Sequence, residues 1–170
     1  MDITQLILDD HHEQRKMFAL LDDVDRDDTE SLEAIWTRLR ILLEVHAEAE
    51  EELFYPRLLQ IGEGATDAAD AEEETEDAIS DHNDIREGIA EAERHDVGSP
   101  GWWQGIATTR EENSNHMAEE ERQALADFRR HADETERHDL GVAFAAFEAS
   151  HAMGVRSESK DPDQYIEQHS

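Results

Sequence analysis

Two pentapeptides carry residue types and a spacing that could hold metal ions: His46-Ala47-Glu48-Ala49-Glu50 and His116-Met117-Ala118-Glu119-Glu120. Each sets a His and a Glu four residues apart, which on an α-helix puts both side chains on one face, about 6 Å apart. An Asp-His pair precedes each, Asp10-His11 before the first and Asp81-His82 before the second. Four imidazoles and two carboxylates without sulfur suit Fe, Mn or Zn. Two ions could each take two His nitrogens and share both carboxylates as bridges. Iron would then have room for a bridging oxo or hydroxo group and for an exogenous ligand such as dioxygen. A single tetrahedral zinc would leave two of the six donors unused. The chain has no Cys, so disulfides, iron–sulfur clusters and thiolate zinc sites are excluded.

The six residues form an internal repeat. His82 lies 71 residues after His11, and His116 and Glu120 lie 70 after His46 and Glu50. Steps between successive His are 35, 36 and 34 residues. A helix of about 20 residues is ~30 Å long, so a helix and loop of this length return the chain to the same height in an up-down-up-down bundle. All six side chains then share one level, three from each half about a pseudo-twofold axis. A lone His on an apolar face is usually a core histidine, and one His-x-x-x-Glu in a Glu-rich helix carries no weight. Six such residues facing inward at matched heights are different, because burying them without partners costs on the order of several kcal/mol.

The elements that must position them are helical. Ala, Leu, Glu and Arg are plentiful, β-branched runs of period two are missing, and only three Pro and eight Gly occur. The predicted fold is all-α, a four-helix bundle over residues 1–132. A further helix over 133–153 packs on it, and 154–170 form a polar tail. The first helix is expected over 4–24, with His11 on the stripe of Ile3, Ile7, Phe18 and Leu21 and His12 on its flank. The second runs over 32–59, capped by Thr29 or Ser31. Its stripe is Leu32, Ile35, Leu39, Leu42, His46, Glu50 and Leu53; Glu48, Glu51 and Glu52 are read as solvated, and Pro56 as a kink near the end. After a linker over 62–71, the third helix spans 71–95 with Ala78, Ile79, His82, Ile85 and Ile89 aligned. Gly98-Ser99-Pro100-Gly101 is a turn. The fourth helix is expected over 102–130, with Thr109, Asn113, His116 and Glu120 on a more polar face, so any opening is expected on the His116–Glu120 side. In the tail, an extended piece around Asp161-Pro162-Asp163 precedes a last turn at Tyr165-Ile166. His95, His131, His138 and His169 read as surface or helix-end residues; His12 and His151 are candidates to stand behind the ligands.

At 170 residues the chain is long enough for one domain with a real core. A net charge of −30 repels nucleic acid and anionic membranes. Of fifteen basic residues only Lys16 and Lys160 are Lys. Such a composition resembles cytosolic proteins of salt-accumulating haloarchaea, whose self-repulsion concentrated salt screens, the Debye length falling to about 3 Å at 1 M. No basic segment followed by an apolar core opens the chain, and no apolar run approaches ~18 residues. The expected location is the cytoplasm.

Asp10-His11, then His46-x-x-x-Glu50 running into Glu51-Glu52-Leu53-Phe54-Tyr55-Pro56, then Asp81-His82 and His116-x-x-x-Glu120-Glu121, together resemble the hemerythrin-like (HHE cation-binding) family. The resemblance covers about residues 2–150 and implies a non-haem di-iron centre ligated by His11, His46, Glu50, His82, His116 and Glu120. Ferritin-like di-iron proteins use Glu-x-x-His instead. Oxygen-carrying hemerythrins place a fifth His four residues after the third-helix His, where this chain has Arg86. Their fourth-helix carboxylate is an Asp five residues after its His, where this chain has Glu120 at four. Arg86 is expected to act behind the ligands, pairing with Glu87, a core acid or a bound anion. The implied function is binding, sensing or handling of dioxygen, nitric oxide or peroxide. A di-iron peroxidase or oxidase, and an iron or zinc store or metal-stapled module, are the alternatives. No Ser-His-Asp set, phosphate-cradling Gly loop or nucleotide motif is present.

Overall fold

The structure, a computed structural model, describes residues 1–65 and 70–170. Its helices are α1 (Ile3–Asp23), α2 (Thr29–Ala49), α3 (Tyr55–Ile61), α4 (Ala71–Glu93), α5 (Pro100–Arg122), α6 (Ala124–His131), α7 (Glu134–Ser150) and α8 (Pro162–His169), and no strand occurs among the described residues. A π-helical turn, Glu50–Phe54, joins α2 to α3 as one rod. The rod, α1, α4 and α5 with its continuation α6 make the four-helix bundle. Helix α7 packs on α1 and α2, and α8 on α4 and α3. The linker expected over 62–71 lies partly outside the described residues.

Helix starts follow short polar side chains that accept the free N–H groups of the first turn. Asp2 accepts from Thr4, Asp70 from Glu72 and Glu73, Ser99 from Trp102 and Asp133 from Glu136. The cap of α2 is Asp28, whose carboxylate accepts from the Ser31 N–H, rather than Thr29 or Ser31 as expected. Asp161 caps α8 ahead of Pro162, so the extended piece in the tail is the cap of a two-turn helix.

Apolar residues gather into two clusters. One holds Ile3, Ile7, Phe54, Leu58, Ile79, Leu125, Phe128 and Phe144. The other holds Phe18, Leu21, Leu32, Trp36, Leu39, Ile89, Trp102 and Ile106. Between them each main helix contributes buried polar residues: His11 and Gln14 from α1, His46 from α2 with Glu50 just beyond it, His82 from α4, and Thr109, Asn113, His116 and Glu120 from α5. The polar layer therefore lies across the middle of the bundle.

Two departures from regular helix flank this layer. Pro56 has no N–H and its ring would clash with the carbonyl of Glu52 in an unbroken α-helix. The rod widens instead, with the Tyr55 N–H donating to the Glu50 carbonyl five residues back. The expected kink is thus a π turn, a distortion common at functional sites. Within the turn Glu51 is buried beside Glu50, and Glu48, in the regular helix ahead of it, is buried too. The expectation that both are solvated is corrected; Glu52 is exposed. The fourth helix, expected unbroken to 130, breaks at Gln123 (φ −107°, ψ −86°). Beyond the break Asp127 accepts from the Glu63 and Gly64 N–H groups at 2.9 Å each, holding the end of α3.

Helices α4 and α5 approach closely at Gly105. A Cβ there would stand 2.4 Å from the Ala92 nitrogen and 2.6 Å from its Cα. Backbone cannot yield as a side chain can, so Gly105→Ala is expected to destabilise by about 1–3 kcal/mol, overriding the ~1 kcal/mol of helix propensity that Ala supplies. Urea unfolding midpoints of the two proteins measure this.

Candidate metal centre

All six predicted residues converge on the buried layer, each no more than 4 % exposed. Their inner atoms face one another. His46 Nε2 lies 2.9 Å from Glu50 Oε1, while Glu50 Oε2 lies 3.3 Å from His82 Nε2 and 3.9 Å from His116 Nε2. His82 Nε2 and His116 Nε2 are 3.2 Å apart, and His11 Nε2 is 3.2 Å from Glu120 Oε2. Glu50 therefore spans two groups of donors, His11 and His46 on one oxygen and His82 and His116 on the other. Glu120 is placed differently from the second shared bridge expected of it. One of its oxygens faces His11 and the other accepts the Tyr55 hydroxyl at 2.6 Å.

Apart from the Glu120 oxygen that takes the Tyr55 hydroxyl, the inner atoms meet only one another. His11 Nε2, His46 Nε2, both Glu50 oxygens and Glu120 Oε2 are buried and unsatisfied, each costing about 1–3 kcal/mol unless something else pairs with it. Two nitrogens bound to one ion at 2.0–2.1 Å, with angles between octahedral and tetrahedral, stand about 2.8–3.4 Å apart. The His82–His116 separation falls in that range. The donor set fits metal ions, and two groups of three donors fit a pair of them.

Behind the inner atoms stands a ring of carboxylates. His46 Nδ1 lies 2.9 Å from Asp10, His82 Nδ1 2.7 Å from Glu51, His11 Nδ1 3.0 Å from Glu121 and His116 Nδ1 3.5 Å from Asp81. Each Asp of an Asp-His pair thus serves the His of the next long helix, and the Glu following each ligand Glu serves the lone His of the other half. A carboxylate on Nδ1 fixes the ring's orientation and directs the Nε2 lone pair inward, the usual support of a metal-bound imidazole. Guanidinium groups back two of these acids. Arg15 lies 2.8 Å from Glu121 and Arg86 2.9 Å from Glu51 and 3.0 Å from Glu48. Arg15 and Arg86 are 71 residues apart, the offset of His11 and His82. Of the partners expected for Arg86, the structure selects core acids. His12 is exposed on α1, and no described hydrogen bond or ion pair brings it to the layer.

The outer acids, Tyr55 and Lys160 were missed as site residues by sequence reasoning. The signal was the repeat itself: Asp10 and Asp81 share the offset of the lone His, and Glu51 and Glu121 that of the ligand Glu. Helix α7 adds Phe144, edge-on to the His46 ring at 6.0 Å, and Glu148, which hydrogen-bonds Asp10. The tail adds Lys160, whose ammonium reaches Glu48 at 2.8 Å and also pairs with Glu51.

Charge inside the layer is shared between imidazoles and carboxylates. Burial pulls the His82 pKa down, but Glu50 and Glu51 outweigh it and hold the ring up at about 9. Burial likewise works against His46, yet Glu50 and Asp10 raise it well above its ordinary value. Burial would raise Glu51, but His82, Arg86 and Lys160 bring it down to about 2. Burial and the neighbouring Asp10 carboxylate push Glu148 up to about 8.

The model of the Hemerythrin HHE cation binding domain matches residues 2–140. No curated protein matches the chain. Among solved structures, the fold resembles that of a hemerythrin HHE cation binding domain-containing protein from Mycobacterium kansasii. The two are 17% identical, with a TM-score of 0.75 over 98% of each chain.

In chelator-treated, metal-free protein, the shifted pKa values set the pH dependence of stability. His82 titrates at about 9 when folded against an ordinary 6.5, so its contribution is complete below pH 6.5 and lost as pH rises to 9. Glu51 titrates at about 2 against 4.5, so its contribution is complete above pH 4.5 and lost as pH falls to 2. The melting temperature of that protein is expected to fall on both sides of this window. His82→Gln should flatten the alkaline decline.

Proposed function

Because this chain belongs to the hemerythrin HHE cation binding domain family, we propose that it holds a pair of non-haem irons in the bundle core and uses them to bind, sense or handle dioxygen or a related small oxidant. The carrying observation is the set of buried inner atoms on His11, His46, Glu50 and Glu120 that face one another and make no well-directed hydrogen bond. Bound there, iron would supply the redox and Lewis-acid chemistry that no side chain of the layer offers. His11 and His46 would hold one ion and His82 and His116 the other, with Glu50 between them. Glu120 would join the His11 side. Manganese or zinc satisfies the same donors, and metal analysis decides between them.

The chain's own part is to orient donors, move protons and restrict access. Uptake of a cation displaces the protons that the neighbouring carboxylates keep on His82 and His46, so binding is coupled to proton release. Access is narrow. A cavity of about 10 Å³ between α4 and α5 is lined by Tyr55, Asp81, His116 and Glu120, room for about one water-sized molecule. It lies on the side where an opening was expected, and its size favours a diatomic gas or peroxide over any organic substrate. Nucleic acid and anionic membranes remain poor partners for a −30 chain. No helix among the described residues is long and apolar enough to cross a membrane, and the Lys-poor, acidic composition suits a salt-rich cytoplasm.

Iron content and the absorption spectrum of air-exposed protein test this reading. A pair of irons per chain with near-ultraviolet charge-transfer bands is expected, and His46→Ala should lose the bands together with at least one iron. One zinc per chain in a colourless protein would overturn it. Turnover with peroxide and an electron donor separates a di-iron enzyme from a binder or sensor.

A further inference from the structure

The C-terminal segment meets the metal layer through side chains that have no counterpart in the other half. Residues 141–170 lie beyond the matched family segment, yet Lys160 pairs with both Glu48 and Glu51. Ser157 accepts from Arg86 Nε at 2.6 Å and donates to Glu48 at 3.2 Å. The tail backbone is fixed as well. Asn83, next to His82, donates to the Lys160 carbonyl at 2.7 Å and accepts from the Lys160 N–H at 3.0 Å. Tyr165 is 5% exposed, and its hydroxyl donates to the Glu51 carbonyl.

The repeat makes the asymmetry measurable. Arg15 and Arg86 occupy equivalent positions behind Glu121 and Glu51, but the Arg15 side chain is 46% exposed and that of Arg86 only 9%. The Glu121 side chain is 31% exposed and that of Glu51 fully buried. The difference coincides with the tail: where it crosses, the outer acid is sealed and doubly paired; where it does not, the acid meets solvent.

We propose that the segment Ser157–Tyr165 is a clamp that fixes Glu51 against His82 Nδ1 and so tightens the His82–His116 half of the metal centre selectively, with Lys160 and Tyr165 as positioning residues. This rests on the two-ion reading of the layer. Lys160 neutralises Glu51 together with Arg86, at an oxygen both cations share, and Tyr165 holds the same residue by its main chain. Glu51 then cannot turn toward solvent, and the His82 ring keeps Nε2 aimed at Glu50 and His116. His11 and His46 rely on Glu121 and Asp10, which the segment does not touch in any described contact.

The test uses the full-length protein with Co²⁺ as probe, followed by its visible d–d absorption and by calorimetry. Wild type is expected to take up two ions. In Lys160→Met, and more mildly in Tyr165→Phe, one ion should bind as before and the other about tenfold more weakly, the range seen when partners behind a metal ligand are lost. Lys160→Arg should restore it. In metal-free protein the exchange of the His82 Nδ1 proton, observed by NMR, should quicken in Lys160→Met while that of His46 is unchanged. Equal weakening of both ions, or two ions bound by Lys160→Met with wild-type affinities, would overturn the clamp and leave the metal centre standing. If wild type takes up fewer than two Co²⁺ the two-ion reading fails, and proton exchange alone then judges the clamp: unchanged at His82, it is refuted.

Discussion

The structure depends on burying a layer of ionisable groups across the middle of an apolar bundle. An isolated charge in that position would be neutralised or expelled, so every group in the layer must face a compensating one. The inner nitrogens and oxygens face a common centre, and the outer nitrogen of each imidazole faces a carboxylate. The apolar clusters on either side keep water from relieving the demand. They hold four helices in the register that brings residues from distant parts of the chain within 4 Å.

Charge compensation then spreads outward in shells. The carboxylates behind the imidazoles require cations or protons of their own, and the chain supplies Arg15, Arg86 and Lys160, with Glu148 beside Asp10 as a carboxyl titrating near neutrality. One of the two lysines in a molecule of net charge −30 is spent here, which separates two uses of acid. The exposed carboxylates set the relation to salt and solvent. The buried few each have a defined partner.

Apart from the different placement of Glu50 and Glu120, the pseudo-twofold order of the bundle extends outward as far as the guanidinium groups. The Arg at position 86 leaves three inner donors from each half. It is also the counterpart of Arg15 rather than an isolated replacement. The elements after residue 133 break this order, because they pack on only part of the bundle. Helix α7 covers the His46 side and the tail with α8 covers the His82 side. Each brings a different chemistry, a carboxyl behind Asp10 and an ammonium behind Glu51, so two halves that share the spacing of their site residues become electrostatically distinct.

Helical class, the existence of four long helices and the six inward residues were legible in the sequence, because helix periodicity and a repeat of 70–71 residues are local or countable. The same repeat held the outer acids in plain view, but a Glu in a Glu-rich helix has no sequence mark that distinguishes burial from solvation. Glu51 is the instructive residue. Regular 3.6-residue periodicity turns it outward, and only the π turn ahead of Pro56, together with Arg86 and Lys160 arriving from other segments, makes its burial tenable. Likewise a polar tail reads as solvated until Tyr165 and Lys160 are seen against the bundle. The sequence determined which groups converge, since spacing along a helix dictates their faces. Tertiary structure decided which acid stands behind which imidazole and which half is sealed, since those depend on contacts between different helices, from 31 residues apart for Glu51 and His82 to 110 for His11 and Glu121.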